Sequence, residues 1–197
     1  MKKSNYSVNE FELKNNLSIT LINGFEVQSV TIMLLVGAGS RHESEDFSGS
    51  AHFLEHMFFK GSSMYPSSNK LAMAMEMLGG LSNAFTSYDY TGYYIKVPLK
   101  NFDKAIELIA DIILNPIFKL EEFEKEKGVI EEEIRMYDDL PSEKIKDEFN
   151  KTLFLDHPLG RNIAGTIQTL GNIKIETISG FRDENYFPNN MRLIIAG

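Results

Sequence analysis

Residues 51–59 read AHFLEHMFF and place His52, Glu55 and His56 in the order His-x-x-Glu-His. On an α-helix with about 3.6 residues per turn, side chains four positions apart share a face, so both imidazoles can reach one metal ion. An imidazole pair binds zinc well, and a carboxylate beside it can accept a proton from a water molecule. The stretch therefore predicts a helix that carries a metal site, with Glu55 as its general base.

The other side chains of this predicted helix are almost all apolar, which indicates that the helix is buried. They are Ala51, Phe53, Leu54, Met57, Phe58 and Phe59. A lone buried histidine is usually satisfied by a backbone group, but two histidines and a glutamate buried together favour a metal, because unpaired polar groups are costly to bury. Ser48 and Ser50 are the expected N-caps, and Gly61 is the expected end of the helix.

The composition limits which residues can complete such a site. The chain has 197 residues, of which 43% are hydrophobic, and it has four histidines and no cysteine. Without cysteine there is no thiolate ligand and no disulfide, so further ligands must be histidine or carboxylate. The length and the ordinary globular composition predict one domain over residues 1–197.

The charge and hydropathy of the chain exclude two classes of partner. The formal net charge is -8, and residues 121–139 are strongly acidic, which argues against nucleic acid. No apolar run approaches the roughly 18 residues of a membrane helix, so no membrane partner is expected. The basic start of the chain has no apolar segment behind it, and we therefore expect a cytoplasmic protein.

A third ligand is expected from the helix predicted over residues 119–137. Its inward stripe at i, i+3, i+4 and i+7 consists of Glu126, Val129, Ile130 and Glu133. Two carboxylates that face the core need a cation, and zinc would be one. The alternative is a pair of buried ion pairs, which we disfavour because the stripe contains no basic residue. Glu131 and Glu132 are expected to point away.

The remaining elements predict an α+β domain in which strands and helices are interleaved. Strands are predicted at residues 11–13, 18–22, 27–36, 82–86, 90–97 and 191–196, and further helices at 69–77, 101–115, 141–155, 166–171 and 175–186. The nearly continuous apolar run over 27–36 predicts a strand covered on both faces. Met73, Met75 and Met77 are expected to fill gaps in the core. A hairpin strand at 82–86 could pair with an extended peptide if it lies at a sheet edge.

Six segments together resemble the N-terminal catalytic domain of the inverzincin zinc peptidases, the insulinase or pitrilysin family that includes mitochondrial processing peptidase. They are GAGSRHE, HFLEHMFFKG, SNAFTSYDYTGYY, EKGVIEEEIRMYDD, HPLGR and YFPNNMRLIIAG, in the family's order. The resemblance implies a mostly antiparallel sheet packed against helices, forming half of a clamshell. It implies one Zn²⁺ per chain, with Glu133 as the third ligand beside His52 and His56 and with Glu126 as a supporting glutamate of the catalytic site. It also implies that peptide substrate binds along Asn83, Ala84 and Phe85.

The resemblance covers only one of the two or more homologous domains that family members carry. Three explanations stay open: a shortened chain, a one-domain subunit that pairs with a second chain, or a domain that forms a homodimer. The sequence thus predicts a zinc endopeptidase domain that cleaves short or extended peptides with metal-activated water. The alternatives are a non-catalytic or partner-dependent subunit that binds peptides, and a structural metal domain with a fourth protein ligand.

Overall fold

The computed structural model describes residues 6–24 and 27–197 of the chain. In these ranges six strands form one sheet: β1 (Tyr6–Glu12), β2 (Ser18–Gly24), β3 (Ser29–Val36), β4 (Leu81–Thr86), β5 (Thr91–Pro98) and β6 (Met191–Ala196). The strand order is β1-β2-β6-β3-β5-β4, and all pairs are antiparallel except β2 with β6. β4 therefore lies at one edge of the sheet.

Seven helices of the described ranges complete the fold. They are α1 (Ser50–Phe58), α2 (Ser68–Met77), α3 (Phe102–Leu114), α4 (Leu120–Asp138), α5 (Pro141–Phe154), α6 (Ile167–Asn172) and α7 (Ile175–Asn185). Two of these helices begin with residues that are typical of helix starts. The Ser67 hydroxyl accepts the N–H of Lys70 at the start of α2, and Pro141 is the first residue of α5. The predicted α+β class, with a mostly antiparallel sheet packed against helices, is confirmed. No helix in the described part of the chain combines the length and the apolar character needed to cross a membrane.

The α1 helix lies at the centre of the hydrophobic core. Phe58 packs edge-to-face on Tyr93 of β5, with ring centroids 5.3 Å apart, and Phe53 stacks on Phe123 of α4 at 4.5 Å. Both phenylalanine side chains are fully buried, and each contributes about 1.5–3 kcal/mol through the hydrophobic effect. These contacts hold α1 between the sheet and α4, which fixes the direction of its polar side chains.

The central strand β3 is covered less completely than its sequence predicts. Val30, Ile32, Leu34 and Val36 are buried, whereas the residues between them are only half-buried. The prediction of coverage on both faces is therefore wrong. Met33 and Leu35 made the run look continuous, but in a strand they point to the face opposite the core.

The α2 helix corrects the prediction for the three methionines. Met73 is 61% exposed and Met77 is 82% exposed, while only Met75 packs against the core. A spacing of two turns successive side chains by about 200° on a helix, so three alternate methionines cannot all face inward. The core prediction is wrong for Met73 and Met77.

Candidate metal centre

Helices α1 and α4 bring three potential ligand atoms together. His52 Nε2 and His56 Nε2 lie 3.2 Å apart on successive turns of α1. Glu133 Oε2 of α4 lies 3.8 Å from His52 Nε2 and 3.6 Å from His56 Nε2. The two helices therefore converge on a group of two imidazoles and one carboxylate.

The spacing and chemistry of this group fit a zinc ion. Zinc bonds of about 2.0–2.1 Å in a tetrahedron place neighbouring ligand atoms about 3.3 Å apart, close to the three distances above. Within residues 6–24 and 27–197, Glu133 has no lysine or arginine partner, and its only ion-pair contacts are with the two histidines. Three protein ligands would leave a fourth position open, as catalytic rather than structural zinc sites do.

One of the four residues predicted for the inward stripe of α4 points outward instead. Val129 is 53% exposed, whereas Phe123, Glu126, Ile130 and Ile134 are buried. Residues 129 and 130 are about 100° apart around a helix, so the stripe includes only one of them. Glu126 and Glu133 nevertheless both point toward α1, and the Glu132 side chain is 75% exposed.

Glu126 lies behind His56 and is not among the residues that line the cavity at the site. His56 Nδ1 lies 2.8 Å from Glu126 Oε1, and Lys60 Nζ lies 2.5 Å from Glu126 Oε2. Burial raises the pKa of Glu126, but the hydrogen bonds from His56 and Lys60 and the charge of Lys60 outweigh it and leave this pKa lowered. An ionised Glu126 accepts a hydrogen bond from the Nδ1–H of His56. This favours the tautomer in which the Nε2 lone pair is free to bind a metal.

The structure contains both arrangements that the sequence allowed for the two glutamates, one that faces a metal site and one in a buried ion pair. Glu126 forms a buried ion pair, as the second alternative required, whereas Glu133 faces the histidines. Lys60 was missed because it follows α1 and is not part of the α4 stripe. The motif HFLEHMFFKG contains it, but only the packing of α1 against α4 pairs it with Glu126.

Glu55 faces a cavity of about 370 Å³ that it shares with His52, His56 and Glu133. Its Oε2 accepts a hydrogen bond from Thr86 Oγ1 at 2.6 Å. Burial raises the pKa of Glu55, and the hydrogen bond from Thr86 opposes that shift. A raised pKa brings a carboxylate closer to the range in which a general base works at neutral pH. The sequence places Thr86 at the end of the strand predicted over 82–86 but does not predict its hydrogen bond to Glu55.

The three residues expected to bind substrate lie on the edge strand β4, but they differ in position. Ala84 and Phe85 line the cavity. Asn83 is exposed and does not line it, and its Oδ1 accepts the N–H of Ala84 at 2.9 Å. A peptide that pairs with the N–H of Ala84 would therefore replace an existing hydrogen bond.

Part of the cavity wall is acidic and comes from α5 and the loop after it. Glu143 and Asp147 are one helical turn apart and line the cavity with Asn162, whose Nδ2 donates to Asp147 Oδ2 at 2.7 Å. Burial raises the pKa of Asp147. The sequence predicts this helix but not the direction of these side chains.

The metal-free chain should lose stability as the pH falls, because of His52. Burial, with a contribution from the neighbouring His56, lowers the pKa of His52 from 6.5 to about 3. Between these values the unfolded chain binds a proton that the folded chain does not, so stability is complete above the unfolded pKa and declines below it. We expect urea unfolding to show a loss of about 2 kcal/mol between about pH 7 and about pH 5.

The matched control for this prediction is His52→Gln, because a glutamine does not titrate. The difference in unfolding free energy between parent and variant isolates the contribution of His52 from that of other groups. The pH slope that His52 contributes should be present in the unfolding free energy of the parent and absent from that of the variant. Parallel curves for the two proteins over this range would contradict the prediction.

Comparison with known proteins places the chain in a family. Residues 19–167 match the family model described as insulinase, peptidase family M16. The chain belongs to the insulinase family. The match includes all of α1 and α4, and therefore both histidines, Glu55, Glu126 and Glu133.

Relatives in the insulinase family are similar over nearly the whole chain. The uncharacterized zinc protease YmxG of Bacillus subtilis is 37% identical over 190 residues, which is 96% of this chain and 46% of the relative. An uncharacterized zinc protease of Rickettsia felis is 38% identical over 195 residues, 99% of this chain and 47% of the relative. The chain thus spans about half the length of the curated relatives it matches.

Solved structures are likewise similar to nearly the whole of this chain, which covers half or less of each of them. A protease from Helicobacter pylori has a TM-score of 0.91 at 30% identity, covering 96% of this chain and 46% of that one. Pitrilysin has a TM-score of 0.87 at 26% identity, covering 98% of this chain and 21% of its own. The expected resemblance to the insulinase and pitrilysin family is confirmed.

Proposed function

We propose that this chain is a zinc-dependent endopeptidase domain that hydrolyses extended peptides. The observation that carries the proposal is the placement of His52, His56, Glu133 and Glu55 around one cavity. His52, His56 and Glu133 would hold the zinc. The names of the relatives, all zinc proteases, support the same cofactor and reaction class.

The residues of the chain divide the chemistry between them. A bound zinc ion would polarise the scissile carbonyl and lower the pKa of a water molecule. Glu55 would take the proton of the attacking water and deliver it to the amide nitrogen, so that the C–N bond breaks and a carboxylate and an amine leave. Thr86 orients the Glu55 carboxylate, and Glu126 with Lys60 holds the tautomer of His56.

Substrate would bind as an additional strand on β4, close to Ala84. The outer side of an edge strand has backbone groups that no neighbouring strand pairs, and these recognise an extended chain whatever its side chains. At Ala84 the peptide would replace the hydrogen bond to Asn83 Oδ1. The carboxylates of Glu143 and Asp147, which line the same cavity, favour peptides with basic or neutral side chains over acidic ones. Short or unfolded peptides are therefore the substrates we propose.

The outward face of α5 supports a second homologous domain as partner. This helix turns polar Glu143, Asp147 and Asn150 toward the protein, while the apolar stripe of Ile145, Phe149 and Leu153 is 69%, 63% and 59% exposed. An apolar stripe that faces outward marks an interaction surface more often than a free one. Because the relatives are about twice as long, we propose that a second homologous domain covers the stripe, supplied by the longer protein or by another chain.

The function is tested by incubating the zinc-loaded chain with a mixed peptide library, with and without a chelator. Cleavage that the chelator abolishes and zinc restores would support the peptidase, and cleavage only with an added homologous domain would support a partner-dependent one. Absence of turnover in both cases, with one zinc per chain, would favour the non-catalytic peptide-binding subunit.

Native mass spectrometry counts the zinc ions and the chains in each assembly. The substitution Phe149→Glu in the apolar stripe of α5 should reduce any association that the parent shows.

A further inference from the structure

A buried carboxylate outside the cavity holds the first turn of the metal-binding helix. Glu43 is 6% exposed, its Oε2 accepts the N–H of Gly49 at 2.8 Å, and its Oε1 accepts the N–H of Ala51 at 2.6 Å. The first N–H groups of a helix have no partner within the helix, and a carboxylate near them also interacts favourably with the helix dipole. Glu43 thus does for α1 what an N-cap side chain does for other helices.

This contact replaces the predicted caps. The N-cap of α1 is Gly49, with φ of 101°, and neither Ser48 nor Ser50 caps the helix. The Ser50 hydroxyl instead donates to the carbonyl of Phe47 at 2.6 Å. The prediction of serine caps is wrong because this backbone conformation requires glycine and places the capping oxygen on a residue further upstream.

Glu43 also connects α1 to a second segment of the cavity wall. Arg161 Nη1 donates to the Glu43 carbonyl oxygen at 3.3 Å, across 118 positions of sequence. The residues that follow Arg161 include Asn162 and Ala164, which line the cavity. Burial raises the pKa of Glu43, while its two backbone hydrogen bonds and the charge of Arg161 lower it and favour the ionised carboxylate, the form in which both oxygens accept an N–H.

Two glycines show how closely these segments pack. A Cβ atom at Gly49 would meet the carbonyl oxygen of Ala164, and a Cβ atom at Gly165 would meet the carbonyl oxygen of Ser48. The start of α1 and the cavity wall after Arg161 therefore touch through their backbones. A shift of the first turn of α1 would change both the direction of His52 and the width of the cavity.

From this geometry we propose that Glu43 is a positioning residue of the metal centre. It holds the first turn of α1 at two points, and the next residue after Ala51 is the ligand His52. The proposal rests on the proposed zinc peptidase function for its consequence, but the contact itself belongs to the metal-free chain. Glu43 does not line the cavity, and the two hydrogen bonds of its carboxylate go to the backbone of Gly49 and Ala51.

The test compares Glu43→Gln with Glu45→Gln, a matched change at an exposed glutamate two residues away. Glutamine has an NH₂ group in place of one carboxylate oxygen, so a donor would face one of the two N–H groups that Glu43 now accepts. We expect Glu43→Gln to weaken zinc binding by about 10–100-fold and to change the visible d–d absorption of the cobalt-substituted chain, with Glu45→Gln like the parent. Both are measured on protein that circular dichroism shows to be folded. A lower melting temperature with parental cobalt absorption and zinc affinity would make Glu43 an ordinary helix cap and overturn the proposal.

Hydrogen exchange of the metal-free chain separates this proposal from the proposed function. Glu43→Gln should speed exchange of the amides at residues 50–56 by about tenfold, while Glu45→Gln leaves them unchanged. Equal protection in both variants would overturn the positioning role. If the parent binds neither zinc nor cobalt, the proposed function fails, and the exchange rates still decide whether Glu43 positions α1.

Discussion

A Glu55→Gln variant should bind zinc as the parent does and cleave peptides about 10²–10⁴ times more slowly. Glutamine has nearly the same shape, and its carbonyl oxygen can still accept the hydrogen bond from Thr86. It cannot accept a proton from water at neutral pH, so only the proton transfer is lost. The measurement is kcat on a peptide substrate, with zinc content determined on the same sample.

Glu124→Gln is the matched control for this experiment, because Glu124 is exposed on α4 and does not line the cavity. It should retain both the zinc and the rate of the parent. Both variants are assayed in the assembly in which the parent is active, whether that is the isolated chain or a complex with a second domain. A zinc-loaded Glu55→Gln protein with parental kcat would show that another group takes the proton.

The helix that carries the candidate metal ligands was predictable because its information is local. Two histidines four positions apart share a face in any α-helix, and the apolar residues between them require burial. The periodicity of the α4 sequence likewise predicted that Glu126 and Glu133 point inward, although it wrongly included Val129. In both helices the directions of the side chains relative to one another follow from helical geometry, and this is why the sequence sufficed to predict which of them share a face.

The contacts that complete the site were not predictable because they join distant segments. Lys60 reaches Glu126, and Thr86 of an edge strand reaches Glu55, only after the helices pack on the sheet. The α5 helix shows the limit most clearly, since periodicity would bury its apolar stripe at Ile145, Phe149 and Leu153. The structure turns the acidic side inward to line the cavity instead, so here the position of the helix overrides its hydrophobic pattern.

A Glu133→Gln variant should bind zinc about 10²–10³ times more weakly than the parent. The free energy of zinc binding at a four-ligand structural site is about 10–16 kcal/mol, which is about 2.5–4 kcal/mol for each ligand. The substitution removes the anionic ligand and leaves a neutral amide, a poor zinc ligand, 3.6–3.8 Å from the two imidazoles. Competition against a chromophoric chelator measures the Kd.

The neighbouring residue provides the control, because Glu132→Gln makes the same chemical change on the outer face of α4. Both variants remove one negative charge from the same helix, so any general effect of charge on zinc affinity is common to them. Only the loss of a ligand distinguishes Glu133→Gln, and Glu132→Gln should therefore stay within about threefold of the parent, the size expected of a screened surface charge. Equal zinc affinity in the two variants would remove Glu133 from the ligand set, and the site would then need its third protein ligand from outside α4.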